Sequence, residues 1–156
     1  MSEKDEDWMR HAIQLAHDAG ETGEVPVGAV IVNEKGSILA AASNLTIKNV
    51  DPTAHAEILA LRIAATRVGN YRLNGATVYT TIEPCAMCAG ALVHARIARL
   101  VYGAADERFG AVKTHFRICD SPELNHRIEI TSGVLADECR ALMQDFFKAR
   151  RAETRQ

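Results

Sequence analysis

Cys85 and Cys88 stand three residues apart in the segment TIEPCAMCAGA, residues 81–91. Thiols at that spacing suit a zinc ion, but a closed structural zinc site takes four protein ligands. The other two cysteines, Cys119 and Cys139, belong to no second Cys-x-x-Cys. The nearest ligand type at a comparable position is His55, in TAHAEI, with Glu57 two residues later. Three protein ligands, His55, Cys85 and Cys88, leave a fourth position for water, and that pattern marks a catalytic zinc. Two thiolates balance the charge of Zn²⁺, and the metal still acidifies its water into a nucleophile. Glu57 is near enough to handle the protons of that water without being a ligand.

Each residue also has a plainer reading. A lone Cys-x-x-Cys in a cytosolic α/β protein fits a thioredoxin-like redox pair, which the His-Ala-Glu at a second helix start displaces. Glu57 alone fits a first-turn acid on a helix dipole. Cys139 falls on the apolar face of the last helix and reads as a small core residue. Neither it nor Cys119 is taken as a ligand. His11, His17 and His94 read as helix-surface or packing residues, and His115 and His126 lie in a stretch without clear pattern.

The elements that must position these groups follow from periodicity. Trp8, Ala12, Leu15, Ala16 and Ala19 recur at helical spacing and predict a helix over 5–19. Residues 27–32 and 37–42 read as a hairpin around the turn at 33–36. Asp51-Pro52-Thr53 predicts a helix start and Gly69 a stop, giving a helix over about 53–68. A strand over 76–82 then leads through Pro84 into a helix whose first turn carries the two cysteines. Strands over 98–104 and 127–132 and a helix over 134–151 complete the chain, and 104–126 shows no clear pattern. The order predicts a three-layer α/β/α arrangement on a mixed five-stranded sheet, with a parallel crossover at the third and fourth strands. Helix starts that follow strands gather at the C-terminal edge of such a sheet, where ligands bind. His55 then meets Cys85 and Cys88 there, and the helix N-termini favour thiolate over thiol.

Length and composition set outer bounds. The 156 residues fit one domain spanning 1–156, and 47% apolar with 24% charged residues is an ordinary globular balance. No apolar run approaches the roughly 20 residues of a membrane span. The acidic start, MSEKDEDWMR, lacks the order of a secretory signal, so a cytoplasmic location is expected. A net charge of −2 neither supports nor excludes nucleic-acid binding. Lys148, Arg150, Arg151 and Arg155 form a basic end that could contact phosphates, although a charged helix end is also simply solvated.

The motifs His-Ala-Glu and Pro-Cys-Ala-Met-Cys carry a resemblance to the zinc-dependent cytidine deaminase superfamily. TIEPCAMCAGAL together with LADEC and FFKARR is similar to its tRNA adenosine deaminases in particular, and the likeness covers nearly the whole chain. The resemblance implies a cytidine-deaminase-like fold and hydrolysis of the wobble adenosine of a tRNA anticodon stem-loop to inosine. It implies one zinc per subunit, a homodimer, and Glu57 protonating ring N1 and then the leaving amine. It also implies that Asn44 bonds the base, that Val25, Pro26, Val27 and Ala56 shape the pocket, and that Asp106 contacts a ribose hydroxyl. One departure stands out: Lys113, Thr114, His115, Phe116 and Arg117 occupy a loop where the family has small and apolar residues. It bears on substrate detail, either as altered specificity or as drift in a surface loop. Two other functions stay open at this point. One is a free-base or nucleotide deaminase acting on guanine or deoxycytidylate. The other is a non-catalytic zinc-containing RNA-binding module, which would have no use for Glu57.

Overall fold

The computed structural model describes residues 3–154, so Arg155 lies outside the described residues. The elements are α1 (Glu3–Glu21), β1 (Gly28–Val32), β2 (Ile38–Ser43), α2 (Ala56–Val68), β3 (Thr77–Ile82), α3 (Ala86–His94), β4 (Arg99–Ala104), β5 (Glu129–Ser132) and α4 (Ala136–Thr154). The sheet order is β2-β1-β3-β4-β5. β1 is antiparallel to both neighbours, while β3-β4 and β4-β5 are parallel. Four strands therefore point one way and β1 alone points back. α1 packs against α4, and α2 against α3, forming a helix layer on each side of the sheet.

The burial patterns follow from that layering. β1 is buried at every position, because helices cover both of its faces. α1 turns Met9, Ala12, Ala16 and Ala19 to the sheet, a stripe of small residues that admits close approach. Contact is tightest at Gly28, where a Cβ would fall 2.0 Å from the Ala12 carbonyl oxygen. Cys139 is buried in α4, and its Sγ would be 2.4 Å from a Cβ on Gly103 of β4. It is the small core residue that the periodicity of the last helix predicts.

The starts of α2 and α3 differ from the sequence expectation, for local reasons. α2 begins at Ala56 instead of near 53, because the Asp51 carboxylate folds onto Thr53, accepting from its N–H and its hydroxyl, both at 2.8 Å. Asp51 thus builds a turn before the helix instead of capping it. His55 is the extended residue at the N-cap, φ −75° and ψ 150°. Cys85 takes the same place before α3, at φ −74° and ψ 176°, so it precedes the first helical turn. At the other end of α2, Gly69 stops the helix as expected, with φ 78°.

At the N-terminal edge of the parallel strands, Asp5 of α1 is buried and accepts from Tyr79 of β3 at 2.9 Å. It also takes two bonds from Arg99 of β4, at 2.9 and 2.8 Å. Arg99 extends the network to Thr131 of β5. This polar knot ties one helix to three strands, well away from the chemistry at the other edge. Among the described residues, no helix is long and apolar enough to cross a membrane.

Candidate active site and metal centre

β2 and β3 run in the same direction with the reversed strand β1 between them. Their C-terminal ends feed α2 and α3, so the starts of both helices flank the start of β1. That arrangement brings His55 to the two cysteines. His55 Nδ1 lies 3.6 Å from Cys85 Sγ and 3.5 Å from Cys88 Sγ. All three ligand atoms lie within 4.8 Å of one another, a cluster that can hold a metal ion. Cys119 stays outside it, buried against Ala89.

Glu57 is 4% exposed and opens onto the same cavity. Burial is the main reason its carboxyl is pushed up to about 7, against an opposing pull from His55. A carboxyl near neutrality can both give and take a proton. The Cys85 thiol is lowered to about 4, first by its hydrogen bond with Cys88 and then by the one with His55. The Cys88 thiol moves the other way through its bond to Cys85 and its burial. His55 is raised, chiefly by its bond to Cys85.

The cavity has a volume of about 410 Å³ and is lined by His55, Glu57 and Cys85, well inside the roughly 300–1,000 Å³ of small-molecule sites. Val25 and Val27 from the chain before β1, Asn44 from the end of β2, and Asp106 after β4 also line it. Pro26 does not: it alternates with its two neighbours and packs toward Gly20 of α1. Ala56 is fully buried, and its N–H donates to Asn44 Oδ1 at 2.7 Å. Asp106 Oδ1 accepts from the N–H groups of Arg108 and Phe109, closing a tight turn.

The structure adds wall residues that periodicity missed. Arg108 and Phe109 enter from the patternless stretch, and Met143 and Phe147 from α4. The i, i+4 spacing of Met143 and Phe147 was the available signal. Of the basic residues near the C-terminus, Lys148 and Arg151 are exposed. Arg150 is exposed too, but it donates to the Gly23 carbonyl at 3.2 Å and lies over the Phe146 ring at 5.3 Å.

The comparisons with known proteins decide the family. The model of the MafB19-like deaminases matches residues 3–151. A tRNA-specific adenosine deaminase of Haemophilus influenzae is 51% identical over 152 residues, spanning 97% of this chain and 88% of its own length. The chain belongs to this deaminase family. The tRNA-specific adenosine deaminase of Bacillus subtilis is 43% identical, over 93% of this chain and 89% of its own. A solved structure from work on A-to-I editing by tRNA:A34 deaminases superposes with a TM-score of 0.83 at 43% identity, covering 87% of this chain and 98% of that one. The guanine deaminase of Nitrosomonas europaea gives 0.75 at 27% identity, over 90% and 83%. The deaminase thus has the three-layer fold with a mixed five-stranded sheet that the element order predicts.

Proposed function

We propose that the deaminase hydrolyses adenosine to inosine at the wobble position of a tRNA anticodon, releasing ammonia, with one zinc ion held by His55, Cys85 and Cys88. The observation that carries this reading is a buried carboxyl, Glu57, opening onto one cavity with the His-Cys-Cys cluster. Zn–S bonds of about 2.3 Å and a Zn–N bond of about 2.0–2.1 Å at tetrahedral angles separate nitrogen from sulfur by about 3.5–3.6 Å. The observed separations are 3.5 and 3.6 Å, so the donor set fits. When bound, zinc supplies an acidified water as the nucleophile, and its charge holds both cysteines as thiolates.

The chain's own residues do the rest. Glu57 takes a proton from the attacking water and delivers it to adenine N1, then takes the proton of the new C6 hydroxyl and delivers it to the departing amine, so that ammonia leaves and the C6 carbonyl of inosine remains. Asn44 Oδ1 is committed to Ala56, so its Nδ2 amide faces the base as a donor. Val25 and Val27 give the base an apolar wall, and Asp106, on the same lining, is the acceptor for a ribose hydroxyl. Arg108 brings a cation to the cavity, with Lys148 and Arg151 farther along α4 as candidates for the RNA backbone. The high identity to proteins named tRNA-specific adenosine deaminases favours this substrate over a free base. A cytoplasmic location goes with it.

The test is to incubate the protein with an anticodon stem-loop bearing adenosine at the wobble position, and separately with guanine and with deoxycytidylate. Ammonia release from the stem-loop alone supports the reading, together with about one zinc per chain. Release from guanine or deoxycytidylate but not from the stem-loop moves the function to small substrates.

A further inference from the structure

Glu83, between the end of β3 and the Pro84-Cys85 step into α3, is 1% exposed. A buried carboxylate costs several kcal/mol unless its oxygens are satisfied. Here five hydrogen bonds come from neutral donors, all in one loop. Oε1 accepts from the N–H of Asp106 at 3.1 Å and from the Thr114 hydroxyl. Oε2 accepts from the N–H groups of Val112, Lys113 and Thr114 at 3.1, 2.9 and 3.0 Å. The next residue joins in, as the Pro84 carbonyl accepts from Ala111 at 2.9 Å. The carboxylate grips both ends of segment 106–114, whose outer turn puts Asp106, Arg108 and Phe109 into the cavity wall. Gly110 makes the grip possible: a Cβ there would lie 2.4 Å from Glu83 Oε1 and 2.5 Å from the Asp106 carbonyl oxygen.

We infer that Glu83 is a positioning residue for the substrate, which fixes the 106–114 loop against the segment that carries Cys85. The metal cluster and the substrate-facing loop are thereby registered to each other through one side chain. Glu83 lies on the cavity lining, but both of its carboxylate oxygens are taken up by the loop. Its effect passes through Asp106, Arg108 and Phe109, so this inference rests on the tRNA reading for what those residues meet. The loop that departs from the family at 113–117 begins inside this grip: Lys113 enters it through a backbone N–H that any side chain would supply, and Thr114 through its N–H and its hydroxyl.

The experiment compares wild type with Glu83→Gln, Thr114→Val and Thr114→Ser by amide hydrogen exchange, zinc content, and KM and kcat on the stem-loop. In Glu83→Gln one accepting oxygen becomes an NH₂ that meets N–H donors. Exchange at 106–114 should rise about tenfold or more, and KM should rise about tenfold while kcat stays within about threefold and zinc at about one per chain. Thr114→Val removes one bond and should raise KM about threefold, and Thr114→Ser should restore wild-type values. Unchanged exchange and KM in Glu83→Gln overturn the inference, as does a fall in kcat that tracks a loss of zinc. If Glu83→Gln does not fold, Thr114→Val decides by the same two readouts. A wild type inactive on the stem-loop sinks the tRNA reading instead, and exchange alone then decides whether Glu83 holds the loop.

Discussion

Asn44 Oδ1 accepts the Ala56 N–H at 2.7 Å, which ties the end of β2 to the first residue of α2, between His55 and Glu57. One side chain therefore serves the helix start with its oxygen and also lines the cavity. Asn44→Asp keeps the acceptor and loses the donor. It should retain stability and zinc while turnover on the stem-loop falls about tenfold or more. Asn44→Ala loses both functions and should also cost about 1–2 kcal/mol of stability. Thermal unfolding beside steady-state kinetics separates the two variants, and equal kinetics for Asn44→Asp and wild type would remove Asn44 from base recognition.

Glu57→Ala should keep the fold and about one zinc per chain and lower turnover about a thousandfold or more, since one group moves protons at successive steps. Metal analysis on the same sample used for kinetics provides the check. Near-normal turnover would take Glu57 out of the mechanism.

The polar knot at the far edge predicts a stability effect without a catalytic one. Asp5→Asn leaves Arg99 and Tyr79 facing a neutral amide and should destabilise the protein by about 3 kcal/mol. Turnover per folded molecule should stay at the wild-type value. The Tyr79 hydroxyl is pushed up to about 12, by burial first and then by its bond to Asp5. Its folded-state value lies above the unfolded one of about 10. The stabilisation is therefore complete below about pH 10 and lost as pH rises through 12. Denaturant titrations across that window should show the loss in wild type and a smaller one in Tyr79→Phe.

The cations of α4 separate into two kinds. Neutralising Lys148 and Arg151 should weaken stem-loop binding and reduce its salt dependence by roughly one log–log unit for each phosphate no longer neutralised. Arg150→Ala gives up the bond to Gly23 and the stacking on Phe146, and should cost about 1 kcal/mol of stability. Affinity measured from low to high salt distinguishes them, and a salt slope untouched by the Lys148 and Arg151 changes argues against a role for these two cations at the RNA backbone.

The order of elements and the cluster of His55, Cys85, Cys88 and Glu57 were legible in the sequence because their signals are local. Periodicity shows the helices and strands, and a helix start after a strand places a ligand at the sheet edge. Glu83 was not legible. Nothing in TIEPC distinguishes a buried carboxylate from a surface one, since its five donors lie 23 to 31 residues away in a loop with no period. Asp5 was hidden in the same way, because at the start of an amphipathic helix it reads as a first-turn acid. Its partners on β3 and β4 are 74 and 94 residues distant. Arg150 reads as a free cation in FFKARR, and only the fold brings Gly23 beneath it.

The most direct test of the central claim is a nucleotide-resolved mass spectrum of an anticodon stem-loop after incubation with the zinc-loaded protein. Replacing the adenine amine by oxygen adds about one dalton at the wobble nucleotide. The account predicts that gain at this nucleotide alone, in wild type and not in Glu57→Ala. An unchanged stem-loop under conditions where the same sample deaminates guanine would contradict it.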